Sequence, residues 1–183
     1  MKKISLIAVL ALIVVLVASC GGKAATSSYA DALEVINTVW SNVAEADKYP
    51  VGGGDSANLN MEGPAKFDHT NKEELDVTLA LPTALADKIE DAASMMHMMN
   101  ANMMTVGAYR LADGTDAAAF AADYKANLAD RRWMCGSPEK FIVIGSGNYV
   151  VTAFGNTMNI DSFKKAAENL ANYTVLLEGP VEV

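Results

Sequence analysis

The chain has 183 residues, with 22 acidic and 14 basic side chains and a formal charge of −8. Phosphates select basic surfaces, so an acidic body of this kind excludes nucleic acid as a partner; the same charge opposes a body lying flat on anionic lipid. Apolar residues make up 51% of the chain, enough for one hydrophobic core at the usual domain size of roughly 100–200 residues.

Lys2 and Lys3 precede an apolar run, Ile4 to Val17, that is interrupted only by Ser5, and the run closes on Val17-Ala18-Ser19-Cys20. A basic start, an apolar middle and a small-residue cleavage site are the parts of a secretory signal. The run is shorter than the about 20 residues that span a membrane. Residues 1–19 therefore read as a lipoprotein signal peptide. Cys20 becomes the first residue of the mature chain and carries diacylglycerol through a thioether. Each buried lipid CH₂ contributes about 0.8 kcal/mol, so two acyl chains hold a protein stably on a membrane. The expected location is the cell membrane, lipid-anchored, on its extracytoplasmic face. The mature chain then has 183 − 19 = 164 residues and a charge of 12 − 22 = −10, since Lys2 and Lys3 leave with the signal. Lipid on Cys20 leaves Cys135 alone, so no intrachain disulfide is expected, and Cys135 reads as a buried, inert thiol.

Residues 20–28 form a small, polar, lipidated tether. A single domain over 29–183 follows. Its first helix starts near Ser28 and presents Leu33, Ile36, Trp40 and Val43 at helical spacing. Tyr49 to Phe67 holds Pro50, the triplet Gly52-Gly53-Gly54 and Gly63-Pro64. No Gly-Lys-Ser or Gly-Lys-Thr follows the triplet, which removes a phosphate-loop reading, and the segment is expected to be a mobile surface loop. Asn71–Leu81 is an amphipathic helix, and Thr83–Glu90 a second short one after Pro82. Strands are expected at 93–99 and 103–111, joined near Asn100, with a turn at Ala112-Asp113-Gly114. The clearest helix is Asp116 to Trp133, with Phe120, Tyr124 and Leu128 facing inward and Arg131 and Arg132 in its last turn. Strands Lys140–Ile144 and Tyr149–Phe154 form a hairpin around Gly145-Ser146-Gly147-Asn148. A helix from Ile160 to Ala171, capped by Asn159, and an edge strand Tyr173–Leu177 complete the chain.

The order strand–strand–helix–strand–strand–helix after an N-terminal helix implies an α+β two-layer sandwich. Its sheet is mainly antiparallel and its helices are expected on one face.

Residues 90–172 resemble a family of uncharacterised bacterial lipoproteins found mainly in Gram-positive anaerobes. The resemblance is carried by the acyl-anchor signal, by Met98-Met99-Asn100 and by the strand Val106–Leu111 ending in Asp113-Gly114. It continues through the helix that follows and through Gly147-Asn148-Tyr149-Val150. It implies the fold and the envelope location. The family has no assigned activity, so no catalytic residue carries over.

Six methionines fall within the ten residues from Met95 to Met104. Thioethers are soft ligands that suit Cu(I), and an imidazole can join them. Strand alternation puts Met95, His97 and Met99 on one face, an arrangement that could hold Cu(I) or Ag(I). Methionine also fills irregular cores and forms adaptable hydrophobic binding surfaces; core packing is the expected role of the cluster, with a binding surface next and metal last. A hydrolase reading has little to build on. There is no Gly-x-Ser-x-Gly, His69 sits beside Asp68 on a loop, and Glu73-Glu74 and Glu90-Asp91 look like solvated faces. The chain is expected to be a non-catalytic binding or envelope-associated module with an unknown protein or small-molecule partner. A Cu(I)-binding lipoprotein is the alternative, and a hydrolase stands behind both.

Overall fold

A computed structural model of the chain describes residues 28–134 and 136–182. The signal peptide, Cys20, most of the tether and Cys135 lie outside the described residues. The order is α1 (Ala32–Asn42), β1 (Val51–Gly52), β2 (Ala65–Phe67), α2 (Lys72–Leu79), α3 (Thr83–Ala86), β3 (Ile89–His97), β4 (Met104–Leu111), α4 (Ala117–Ala129), β5 (Lys140–Ser146), β6 (Tyr149–Gly155), α5 (Thr157–Ala167) and β7 (Tyr173–Pro180). One antiparallel sheet runs β1-β3-β4-β6-β5-β7, and β2 shares the outer edge of β3 with β1. β2 pairs with Ala92–Ser94 and β1 with Met96 and His97.

The expected α+β sandwich on an antiparallel sheet is what the structure shows. The helices, expected on one face, are divided between both. Met95, Val106, Ile144 and Val151 point to one face, where α1 and α5 cover them. Ala92, Tyr109, Val143 and Val150 point to the other, under α2, α3 and α4. The reason lies in the strands themselves, because β6 is buried at each of its 7 positions. Successive side chains of a strand point to opposite faces, so a strand buried throughout must be covered twice.

Local chemistry sets the helix ends. Asp31, rather than Ser28, caps α1 by accepting the Glu34 N–H, and Ala32, Val35, Ile36 and Val39 are buried, with Leu33 and Trp40 at the rim. Each such Val or Ile contributes about 1.5–3 kcal/mol. Asn71 caps α2 by accepting the Glu74 N–H. The helix expected to reach Trp133 ends at Ala129, because Arg131 turns away to bond the Asp76 carboxylate at 2.8 Å and the Val77 carbonyl at 2.7 Å. Asn156, not Asn159, caps α5 by accepting the Asn159 N–H at 2.8 Å. The β5–β6 turn is tighter than expected: Ser146 pairs with Tyr149, leaving Gly147-Asn148 as a two-residue connection. At the far edge β7 carries a register shift between Val143 and Ile144 of its partner, a bulge that blunts the edge against other strands.

The segment 49–67, expected to be mobile, is ordered. Val51 to Asp55 are all buried. Gly53 and Asn60 exchange backbone hydrogen bonds of 2.8 and 2.9 Å, and the Gly54 N–H donates to Ser94 Oγ at 2.8 Å. The glycines are there for close approach. A Cβ on Gly53 would stand 2.3 Å from the Ser94 carbonyl oxygen, and one on Gly54, whose φ is +91°, would stand 2.1 Å from that of Asn58. Overpacking against backbone costs about 1–3 kcal/mol. Gly53→Ala is therefore expected to lower stability by about that amount in a urea titration. A free loop would accept the methyl group with no shift in midpoint.

Candidate functional site

A cavity of about 320 Å³ opens where β1 meets the end of β3, and its walls include Leu59, Met61, Met96, Met98 and Met99. This size falls at the lower end of the roughly 300–1,000 Å³ of ligand pockets, which are mostly apolar. Leu59 is 62% exposed, Met61 56% and Met99 83%. All three side chains stand on the rim of the same cavity. A hollow of about 470 Å³ at the β5–β6 turn is lined by small side chains and turn backbone, among them Gly145, Ser146 and Asn172, with no titratable group.

Three elements build the methionine-lined cavity. β3 supplies Met96 and, at its end, His97, and the turn that follows supplies Met98 and Met99. β1 supplies Gly52, the cross-strand partner of Met96. The β1–β2 connection supplies Leu59 and Met61. Gly52 is the point of contact, since a Cβ there would lie 2.7 Å from the Met98 sulfur and 3.7 Å from the Met61 Cα.

The connection is held by two carboxylates. Asp55 accepts from the Ala57 N–H at 2.8 Å, from the Asn58 N–H at 2.8 Å and from the Asn58 side-chain amide at 3.0 Å, and it also accepts from the Asp68 N–H. Burial pushes the Asp55 carboxyl up, but those bonds from Asp68, Asn58 and Ala57 outweigh it and hold the group below the usual carboxylate range. Glu74 of α2 accepts from the Ser56 N–H at 2.6 Å and its hydroxyl at 3.0 Å.

The strand alternation expected to align Met95, His97 and Met99 stops at His97, where β3 ends. Met95 is fully buried in the α1–α5 core. His97 is 7% exposed, its ring stacks on Tyr49 at 4.5 Å between centroids, and Trp40 meets Tyr49 edge-on at 5.4 Å. Its Nδ1 accepts the Met99 N–H at 3.1 Å, which fixes the start of the turn. Burial pushes the Tyr49 phenol up and keeps it neutral beside the imidazole. The structure thus separates the three residues into core, frame and rim. It brings Met96, Met98 and Met99 together with Leu59 and Met61, two residues that sequence spacing did not connect to the cluster.

Several of the other candidate carboxylates have local partners. Asp68 accepts from Thr70 N–H and hydroxyl at 2.9 and 2.7 Å, so its carboxylate is engaged beside His69. Asp91 accepts the Ala32 N–H at 2.7 Å, and Glu90 pairs with Arg110 at 3.6 Å. Among the described residues no three of His, Cys, Asp and Glu converge as a metal-holding group.

The depressed Asp55 carboxyl gives an acid-side dependence. A group whose folded pKa lies below its unfolded one stabilises fully above about pH 4, the unfolded carboxylate range, and loses that contribution as pH falls through the folded value. Asp55→Asn is expected to be destabilising at pH 7, and the gap between the two urea midpoints is expected to shrink as pH falls below the carboxylate range. A gap that does not change with pH would remove the charge from this account. No family model, no curated protein and no solved structure matches the chain.

Proposed function

We propose that the chain is a lipid-anchored, extracytoplasmic, non-catalytic binding module, and that its site is the methionine-lined cavity. The observation that carries this reading is the position of the cavity. Tyr29, next to the expected tether, bonds the far side of the fold: its carbonyl accepts from the Tyr149 hydroxyl at 3.2 Å and its own hydroxyl accepts the Ala171 N–H at 2.9 Å. Tyr149 starts β6 opposite Arg110, whereas the methionine turn precedes Met104 at the other end of β4. At about 3.3 Å per residue those ends lie roughly 20 Å apart. In a domain tethered at Cys20 the cavity would lie at the end of the sheet opposite the point where the tether joins the fold, open to a partner in the surrounding compartment. The signal-like residues 1–19 and the lipoprotein resemblance of residues 90–172 support the lipid-anchored, extracytoplasmic location.

Two measurements test the reading. The wild-type chain is expected to incorporate labelled palmitate and to lose residues 1–19, and Cys20→Ser to do neither. A fluorescent reporter of apolar surface, the anion anilinonaphthalene sulfonate, is expected to bind the folded wild-type chain and to lose most of its signal in the Leu59→Ser, Met61→Ser double variant. Both positions are exposed, so stability should change by only about 0.5 kcal/mol at each. Equal probe binding by the two proteins would exclude the cavity as the site.

A further inference from the structure

The cavity binding reading, on which this step rests, leaves the ligand open. We propose that the cavity is a site for a soft monovalent cation, Cu(I) or Ag(I), held by the thioethers of Met61, Met96, Met98 and Met99.

Methionine is buried in the core, exposed singly at Met134 (81%) and Met158 (74%), and gathered at the cavity. Met95 and Met104 are fully buried and fill the core between the sheet and α1–α5. Met61, Met98 and Met99 are 56%, 39% and 83% exposed. An exposed methionine forgoes the burial that stabilises a core residue, yet the fold gathers these on one rim. The gathering point is Gly52. Its missing Cβ leaves room for the Met98 sulfur, the Met61 backbone lies against the same point, and Met96 is its partner across the ladder. Met99 follows Met98 directly, on a turn pinned by the bond from its own N–H to His97.

The donor chemistry selects the ion. Thioether sulfur prefers Cu(I) among the biological metals. Hard divalent cations such as Ca²⁺ take six to eight oxygen ligands, carboxylates prominent among them, and no carboxylate lines this cavity. The Asn100 side-chain oxygen accepts the Asn102 N–H at 2.9 Å and is engaged in the turn. His97 also serves the frame, since its Nδ1 already accepts a hydrogen bond and its ring is stacked. The ligand set therefore differs from the Met95, His97, Met99 set that strand alternation suggests. It excludes the core methionine and recruits one from the β1–β2 connection. Neutral sulfurs leave the bound ion with its single charge, which suits a monovalent cation near solvent better than a divalent one.

The test uses the full-length chain in detergent, labelled with ¹³C at the methionine methyl groups and titrated with silver nitrate. One Ag(I) per chain is expected, with shifts in the Met61, Met96, Met98 and Met99 methyl signals and none for Met95 and Met104. Met98→Leu with Met99→Leu keeps the apolar volume and removes two sulfurs. It is expected to weaken Ag(I) binding by at least the roughly 10-fold that loss of an outer-shell partner costs a metal site. Met95→Leu, a volume-conserving change in the core that leaves the proposed ligands in place, is expected to bind Ag(I) as the wild type does. Undiminished binding in the double leucine variant, or shifts confined to other methionines, would overturn the site. If anilinonaphthalene sulfonate binds while Ag(I) does not, the cation is overturned and the binding module stands. If neither binds, both readings fall.

Discussion

Residues 149–155 are buried at every position, and that one fact places most of the chain. A strand with apolar side chains on both faces needs a cover on each. The chain meets this by returning from each hairpin on a different side. After β3–β4 it sends α4 across one face, and after β5–β6 it sends α5 across the other. The N-terminal helix completes the second cover, and the short helices α2 and α3 complete the first.

The two edges of this sheet are treated differently. At one edge β7 bulges beside the Val143–Ile144 step of β5. At the other, β3 receives two short strands, β1 and β2, whose connection folds back on itself instead of extending the sheet. That fold-back is possible because three consecutive glycines let backbone meet backbone, and because Asp55 gathers donors from Ala57, Asn58 and Asp68. The result is a wall opposite Met96 and Met98. The cavity is therefore a consequence of how an edge strand is closed, and its apolar rim comes from two places in the chain.

Much of the fold was legible in local pattern. The helical spacing of Phe120, Tyr124 and Leu128 located α4, the amphipathic pattern from Asn71 located α2, and Gly145-Ser146-Gly147-Asn148 located the β5–β6 turn, although Gly145 and Ser146 belong to β5. What misled was non-local. The glycine triplet reads as mobility, because nothing near it in sequence shows the Ser94 carbonyl and hydroxyl that it packs against 40 residues on. Alternation placed Met95 and His97 on one face correctly but carried Met99 past the end of the strand. The Tyr49 ring that holds His97 and the Met61 that joins the cavity lie far upstream of the cluster, so spacing within it could not reveal either. Arg131 was read as a helix-end cation, whereas its partner Asp76 lies 55 residues away.

The central claim is that residues 51–55 are a fixed wall of a preformed cavity. Amide hydrogen exchange tests it most directly. The Gly53 and Gly54 N–H groups, bonded to the Asn60 carbonyl and to Ser94 Oγ at 2.8 Å each, should exchange as slowly as the β3 amides beside them. Exchange at the rate of an unstructured chain would contradict the wall, and with it the cavity as a built site.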